Sequence, residues 1–313
     1  MFENLVDGLI GDYKLNGRKS LESAATNNIK HLREFFGFDR AVDIGAGDRY
    51  KKYQLRRLEQ GASVATANRE VAMLRRMFSI QVEAGTLSRR PVFKMLDGEK
   101  VRQGFVEHGD FQRLIGKLPD HLQPLIEFQY VGGWRKSAAR NLEWKEIDMH
   151  GRTARLKAED SKNSEPWVLP LAGRLWEIIQ ERAKARRLDC VYVFHDDGKK
   201  IGDFRKAWQT ACVAAGLGVF VKKEQTEGDA KEKRQRKKYD GLIIHDLRRC
   251  AARNLSRAGV SEVVAMKITG HKTASMYRRY RIIDEREIRE ALEKTQDYLS
   301  ASQESKVAKA GGA

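Results

Sequence analysis

Residues 245–281 read HDLRRCAARNLSRAGVSEVVAMKITGHKTASMYRRYR, and this stretch says most about the fold. Helical patterns predict one helix over 245–258 and a second over 261–269. A Gly-His pair closes the second helix, and a tyrosine follows nine residues after that histidine. The stretch therefore predicts a helical domain in which several polar side chains stand at fixed helical spacings.

Two of these side chains lie at the start of the first helix. His245 and Arg248 are three positions apart, so they point the same way. An imidazole beside a guanidinium makes a two-pronged cradle for a phosphate. Three more arginines repeat at four-residue steps on the neighbouring face, where they either follow a nucleic-acid backbone or face water: Arg249, Arg253 and Arg257.

The Gly-His pair and the tyrosine are His271 and Tyr280. Tyrosines mostly pack as half-buried aromatic residues whose hydroxyl has a partner. Tyr280, however, has an arginine on each side and a third arginine two positions before it. Such surroundings stabilise a developing phenolate and attract a phosphate, so the stretch favours phosphate chemistry at a tyrosine.

Two earlier stretches add basic residues. In GGWRKSAARNLEW, Arg135 opens a predicted helix behind two glycines, where free backbone amides also suit an anion. In DSKNSEP, Lys162 stands at the tip of a predicted hairpin turn. Taken alone, each is typical of an ordinary surface residue. A functional role for either one depends on which side chains lie beside it.

The rest of the chain is predicted to be helical with a little β structure. Residues 1–90 show helical stripes, and a basic, proline-broken stretch follows them. Segments 153–157 and 167–171 are predicted as two strands of a hairpin. Further helices are predicted over 21–36, 50–60, 66–84, 110–117, 122–131, 137–142, 173–186, 204–215 and 285–298. The fold class is mainly α with a small antiparallel β-sheet (α+β).

Charge and composition narrow the function classes. The chain carries 60 Lys and Arg against 43 Asp and Glu, and its net charge of +17 is spread over both halves, which indicates a nucleic-acid partner. No apolar run approaches the ~18 residues of a membrane span, and the N-terminus lacks the pattern of a signal peptide. Three scattered cysteines suit neither a disulfide framework nor a zinc site. We expect a cytoplasmic protein with no membrane partner, in which the basic run at 231–238 is a solvated loop.

The order of these motifs resembles the tyrosine recombinase (phage integrase) family: arginine, hairpin lysine, His-x-x-Arg, Gly-His and tyrosine. Each motif is weak alone, whereas five in order with fitting gaps are specific. HDLRRCAARNLSRAGV and MKITGHKTASMYRRYRI are especially similar to the integrase branch. The resemblance implies a helical, SAM-like core-binding domain at 1–90, a basic linker at 91–104 and a catalytic domain at 105–298. Residues 299–313 have little to bury and are expected to form a disordered tail.

The resemblance also implies roles for six residues around one scissile phosphate: Arg135, Lys162, His245, Arg248, His271 and Tyr280. Tyr280 is the nucleophile, the two arginines neutralise phosphate oxygens, and Lys162 protonates the leaving 5′ oxygen. Both histidines add hydrogen bonds, and His245 also accepts the tyrosine proton. Because the 3′-phosphotyrosine preserves the bond energy, we expect no metal, no ATP and no other cofactor.

The implied function is a site-specific recombinase that cuts and rejoins double-stranded DNA at attachment sites. The implied partners are three further copies in a homotetramer assembled on DNA, and accessory DNA-bending or directionality factors, in association with the nucleoid. The helix at 285–298 either reaches a neighbouring subunit through Ile288, Leu292 and Tyr298 or packs on its own domain. The chain starts at the core-binding domain, so we expect the arm-site-binding domain of some phage integrases to be absent.

Two alternatives remain open. A type IB topoisomerase cuts and reseals DNA without exchanging strands, and a decayed recombinase is a non-catalytic DNA-binding regulator. The regulator is favoured by Ala138, which stands where the family often has an acidic residue that supports the first arginine. Glu143 or another carboxylate is then expected to support Arg135. Tyr277 lies three residues before Tyr280, and the resemblance gives Tyr277 a packing role.

Overall fold

The computed structural model describes residues 1–18, 20–99, 102, 104–156, 167–222, 237–280 and 285–310. The contacts divide the chain into two compact units, Met1–Arg102 and Gln103–Ala313. Within the described ranges, no helix has the length and apolar character needed to cross a membrane.

The first unit is a bundle of helices, as the stripes predict. The helices are α1 (Phe2–Leu15), α2 (Leu21–Ser23), α3 (Lys30–Phe36), α4 (Ala41–Gly45), α5 (Arg49–Glu59) and α6 (Val64–Glu83), with a π-helical stretch, Ala24–Ile29, between α2 and α3. The helix α6 begins two residues before its predicted start because Ser63 caps it, accepting a hydrogen bond from the Thr66 amide at 3.2 Å. The apolar stripes of α1, α3 and α6 meet in one core.

A buried ion pair joins α5 to α6. Two nitrogens of Arg57 donate to the Glu70 carboxylate at 2.9 Å each, and Tyr53 Oη donates to it at 2.8 Å. Glu70 is 1% exposed, so its charge depends on these donors in place of water. Burial, followed by the hydrogen bond to Glu70, raises the pKa of Tyr53, so the phenol stays protonated and remains a donor.

The second unit contains nine α-helices, one turn of 3₁₀ helix (Trp144–Glu146) and seven short strands within its described residues. The helices are α7 (His108–Ile115), α8 (Gln123–Gly132), α9 (Lys136–Arg140), α10 (Arg174–Lys184), α11 (Arg205–Ala214), α12 (Asp246–Arg257), α13 (Glu262–Thr269), α14 (Ala274–Arg278) and α15 (Glu285–Ala310). The strands are β1 (Ile147–Asp148), β2 (Thr153–Leu156), β3 (Trp167–Pro170), β4 (His195–Asp196), β5 (Lys199–Lys200), β6 (Gly218–Lys222) and β7 (Lys237–Gly241).

The strands form three small antiparallel sheets, where the sequence predicts one. The predicted hairpin is the β2–β3 pair, with β1 added at the edge of β2. The β4–β5 hairpin turns at Asp197 and Gly198, whose φ angles of 44° and 82° fit a two-residue turn. In the third sheet, β6 pairs with β7 from Gly218↔Gly241 to Lys222↔Lys237. The sequence analysis missed the last two hairpins because their strands are short or lysine-rich.

Two further predictions need adjustment. Lys237 and Lys238, the end of the basic run predicted as a loop, lie on β7 and are exposed there, whereas 231–236 lie outside the described residues. The helix α15 continues to Ala310, past its predicted end at 298 and into the segment expected to be disordered. The sequence from 299 to 310 contains Leu, Ala, Gln, Glu and Lys, which favour a helix, and has no glycine or proline before Gly311.

We predict that Glu70→Ala destabilises the first unit by about 3–5 kcal/mol, because it leaves the Arg57 guanidinium buried without its counter-charge. Urea unfolding followed by far-UV circular dichroism measures this loss. The matched control is Asp43→Ala, which removes the carboxylate of the exposed Arg40–Asp43 ion pair and should leave the unfolding midpoint unchanged. Equal midpoints for Glu70→Ala and the unchanged protein would contradict a stabilising role for the buried pair.

Candidate active site

The guanidinium of Arg248, in the first turn of α12, is buried between the ends of two other helices. Arg248 is 4% exposed. Its Nη1 donates to the carbonyl oxygens of Gly133 at 2.6 Å and Thr269 at 2.5 Å, and its Nη2 donates to Gly270 O at 3.3 Å. These carbonyls close α8 and α13, where the helix dipoles place partial negative charge. Burial, followed by the charge of Arg135, lowers the pKa of Arg248 to about 10, so it stays a cation at neutral pH.

Both helix ends close with a glycine in the left-handed conformation. Gly133 and Gly270 each have φ of 67°. A Cβ atom on Gly133 would lie 2.9 Å from the Cβ of Ala251 on α12, closer than side chains approach one another. Glycine at 133 thus lets the end of α8 approach α12 closely enough for its carbonyl to reach Arg248.

His271 follows the glycine that ends α13 and holds Arg248 from another side. Its Nδ1 lies 2.7 Å from Thr269 Oγ1, whose hydroxyl proton goes to Ala265 O at 2.7 Å. Nδ1 therefore carries the proton, and Nε2 is left to accept from Arg248 Nε at 3.1 Å. Burial and the charges of Arg248 and Arg135 lower the pKa of His271 to about 3, in agreement with this neutral tautomer.

His245 and Tyr280 meet at the exposed side of this cluster. His245 Nε2 lies 3.1 Å from Tyr280 Oη. Desolvation of the imidazole, with the charges of Arg248 and Arg249, lowers the pKa of His245 below 6.5, so the ring is neutral at pH 7. The ring of Tyr280 also lies 4.9 Å from that of His271, centroid to centroid. The phenol is thus held beside a neutral imidazole and near two guanidinium groups.

Tyr277 is placed differently from Tyr280, although the two are only three residues apart. Tyr277 lies within α14, is 1% exposed, and donates its hydroxyl to Ala252 O at 3.0 Å. Tyr280 lies beyond the last residue of α14 and is half-buried. The structure therefore puts the Tyr277 hydroxyl in the core and the Tyr280 hydroxyl at the candidate site.

Arg135 stands at the N-cap of α9 and is half-buried. Its charge lowers the pKa values of His245, Arg248 and His271. Ala138 is buried, and Glu143 pairs with Lys145. In the described part of the chain, no carboxylate forms an ion pair with Arg135, so the expected replacement for the missing acid is not found there.

The three arginines on the neighbouring face of α12 do not face water. Arg253 is 6% exposed and stacks on Phe105, with Cζ 3.7 Å from the ring centroid. Arg257 Nη1 donates to Glu107 at 2.9 Å. Arg249 lies over the ring of Tyr280, with Cζ 5.5 Å from the centroid. Arg253 and Arg257 therefore make contacts that stabilise the fold, and Arg249 belongs to the candidate site.

Five of the six predicted site residues are thus brought together, and Lys162 lies outside the described residues. Sequence reasoning missed Thr269, whose hydroxyl fixes the tautomer of His271, and the backbone carbonyls that bind Arg248. A carbonyl has no sequence signal of its own, and a threonine at a helix end is common. Over the described ranges, no three His, Cys, Asp or Glu side chains are grouped to bind a metal ion.

Several known proteins resemble this chain in sequence or in fold. The integrase of Salmonella phage P22 is 25% identical over 232 residues, which cover 70% of this chain and 54% of that protein, so the chain spans about half the length of this relative. A lambda integrase dimer bound to a COC′ core site superposes with a TM-score of 0.71 at 18% identity, covering 90% of this chain and 95% of that one. A lambda integrase tetramer bound to a Holliday junction gives 0.66 at 18% identity, covering 89% and 77%.

At this identity the two solved structures establish the fold alone. The family model described as the phage integrase family matches residues 105–287, which is more than half of the chain and includes every described residue of the candidate site. The chain belongs to the phage integrase family.

Proposed function

We propose that this protein is a site-specific DNA recombinase that cuts and rejoins DNA strands through a 3′-phosphotyrosine at Tyr280. The observation that carries the proposal is the 3.1 Å contact between Tyr280 Oη and Nε2 of a neutral His245, inside a cluster of arginines. A phenol with a base at its oxygen and cations around it is equipped to attack a phosphodiester. The similarity to the phage P22 integrase supports the same reaction class.

The proposed reaction conserves the phosphodiester bond. Tyr280 Oη attacks phosphorus and forms a P–O bond, while the bond from phosphorus to the 5′ oxygen breaks. The phenol proton passes to His245, and Lys162 gives a proton to the leaving 5′ oxygen. A 5′ hydroxyl from another strand reverses these steps and frees Tyr280. Neither ATP nor a redox partner enters this balance.

The remaining residues act on the phosphate charge or on one another. Arg135 neutralises a non-bridging oxygen, and in the described residues no ion pair competes for its guanidinium. Arg248 also neutralises a non-bridging oxygen, through N–H donor capacity that is not used by its carbonyl partners. In the free protein both ring nitrogens of His271 are used, so we propose that His271 mainly orients Arg248 instead of donating to the phosphate.

We further propose that residues 1–90 are a core-binding domain, 91–104 a linker and 105–298 the catalytic domain, and that both domains bind the same duplex. The net charge of +17 suits this partner. The substrates are double-stranded attachment sites, and the location is the cytoplasm, on nucleoid DNA.

We predict that Tyr280→Phe abolishes the covalent protein–DNA adduct while DNA affinity and folding stay nearly unchanged, because only the attacking oxygen is removed. The assay uses nicked duplexes that tile the DNA flanking the gene, followed by denaturing electrophoresis. The matched control is Tyr277→Phe, which should keep the adduct and lose about 1–2 kcal/mol of stability, since Ala252 O loses its buried donor.

The adduct assay and a supercoil-relaxation assay together separate the alternatives. An adduct that persists in Tyr280→Phe and disappears in Tyr277→Phe would reverse the assignment of the nucleophile. DNA binding by the unchanged protein with no adduct on any tiled duplex would favour the non-catalytic regulator. Relaxation of supercoiled DNA at random positions, without exchange between sites, would favour the topoisomerase.

We predict that the second-order rate constant of adduct formation declines at low pH with a midpoint below 6.5. The reason is that His245 accepts the phenol proton only when neutral, and its pKa in the free protein is lowered from 6.5. Rates at limiting DNA, measured above and below pH 6.5, give the midpoint. A His245→Gln variant should be slow and lack the decline, whereas a midpoint above 6.5 in the unchanged protein would contradict a neutral His245.

The helix α15 is proposed to bind a second copy of the chain in a DNA-bound tetramer, the assembly in which lambda integrase is found on a Holliday junction. Ile288, Leu292 and Leu299 are 52%, 65% and 50% exposed, and their spacings place them on one face of α15. Tyr298, which the sequence analysis grouped with the first two, lies off this face and is 71% exposed. These three side chains form the exposed apolar stripe that is proposed to contact the partner.

We predict that changing Ile288, Leu292 and Leu299 together to Ser lowers recombination between two sites by about tenfold or more, because the stripe loses its apolar contact with the partner. Binding to one site and adduct formation should change by less than about twofold. The control is Asp297→Ser, about half a turn round the helix, which should leave both unchanged. Equal losses of single-site binding and recombination would show that α15 supports its own subunit instead.

A further inference from the structure

Arg249 is a member of the cluster around Tyr280 to which the proposed chemistry assigns no role. Its Cζ lies 5.5 Å from the centroid of the Tyr280 ring. Its Nε and Nη1 are buried, and among the described residues they have no hydrogen-bond acceptor. Buried donors of a charged group normally have partners, because an unpaired one loses its hydration without compensation. The π face of Tyr280 is the electron-rich group placed to compensate Arg249.

The two arginines that follow on the same face of α12 show what a structural arginine looks like in this protein. Arg257 donates to the Glu107 carboxylate at 2.9 and 3.2 Å. Arg253 stacks on Phe105 and has the same carboxylate 3.5 Å away. Each has an anionic group beside it. Arg249 forms no ion pair with a described residue, so its charge acts on Tyr280 without a competing carboxylate.

The ring of Tyr280 needs a side-chain contact such as that with Arg249, because the backbone of Tyr280 does not fix the position of the ring. The helix α14 ends at Arg278, and the backbone of Tyr280 continues it by a turn in which its amide donates to Tyr277 O at 2.8 Å. The position of the phenol therefore depends on side chains: the hydrogen bond to His245, the ring of His271 at 4.9 Å, and the guanidinium groups of Arg249 at 5.5 Å and Arg248 at 6.0 Å. Both arginines are part of the regular helix α12, which packs on α8 and α13, but Arg248 is farther from the ring and donates to three carbonyls and to His271.

We propose that Arg249 is a positioning residue for the nucleophile: its guanidinium holds the ring of Tyr280 through a cation–π contact and so keeps Oη at Nε2 of His245. This inference rests on the proposed function of Tyr280. The charge of Arg249 is also one of the causes that lower the pKa of His245, which agrees with its place beside the Tyr280–His245 pair.

The first test measures single-turnover adduct formation at saturating protein, on the tiled duplex that gives the strongest adduct with the unchanged protein. Arg249→Met keeps the length of the side chain and removes its charge, and we expect the rate to fall about tenfold while the DNA Kd changes by less than about twofold. Arg249→Lys, which keeps a cation, should restore much of the rate. Arg257→Met, two turns along the same helix, should react at the unchanged rate.

The second test needs no DNA. The pKa of His245 in the free protein is measured by NMR of ¹⁵N-labelled histidine, with its signal assigned from a His245→Gln variant. We expect a higher pKa in Arg249→Met than in the unchanged protein or in Arg257→Met, because a neighbouring cation is lost. This readout remains valid if the protein forms no adduct at all, so failure of the proposed function is distinguishable from failure of the inference.

Three outcomes would overturn the inference. In the first, Arg249→Met forms the adduct at the unchanged rate. In the second, its rate at saturation is normal and only the DNA Kd is weaker, which would make Arg249 a phosphate contact. In the third, the pKa of His245 is the same in Arg249→Met and Arg257→Met, which would show that Arg249 does not lie beside the pair.

Discussion

The Arg248 guanidinium is buried against the carbonyl ends of α8 and α13, and a charge in that position is stable only while those carbonyls stay in place. The hydrogen bonds of this guanidinium therefore hold α8, α12 and α13 together. They also explain the left-handed glycines at 133 and 270, since each lets a helix end with its last carbonyls directed at the guanidinium. The geometry of the candidate site is therefore set by the packing of α8, α12 and α13, and this packing positions the side chains that react.

The electrostatics of the site follow from the same buried charge. Arg135 and Arg249 add two more cations. Burial, followed by the charges of neighbouring arginines, lowers the pKa values of both histidines, so both rings are neutral. Neutral imidazoles limit the repulsion among the arginines and leave His245 able to accept a proton. A phosphodiester brings the negative charge that the cluster lacks, so binding the substrate relieves the repulsion of the free state. The arginine charges therefore both attract the phosphate and help to keep His245 unprotonated.

Much of this could be predicted from the sequence because the decisive features are local. Helical spacing placed His245 beside Arg248, and the glycine before His271 marked the end of α13. Burial could not be predicted in the same way. Arg253 and Arg257 have the spacing of a solvated face, yet residues 105 and 107, far away in sequence, cover them. The Tyr277 hydroxyl lies in the core and the Tyr280 hydroxyl at the candidate site, and this difference depends on where α14 ends. The roles of carbonyl groups and of the Thr269 hydroxyl appear only once three helices are packed together.

Ala138 shows how one missing side chain changes the balance of charges. A carboxylate at this position would neutralise part of the Arg135 charge and orient the guanidinium. With alanine there, Arg135 keeps its full charge, and its place is set by the start of α9 instead of by an ion pair within the described residues. The stronger cation lowers the pKa of both histidines further than a paired arginine would. Burial and the nearer arginines are the larger causes of a neutral His245, and Arg135 adds to them. The absence of the acid is therefore compatible with catalysis, because it leaves the guanidinium of Arg135 available to the phosphate.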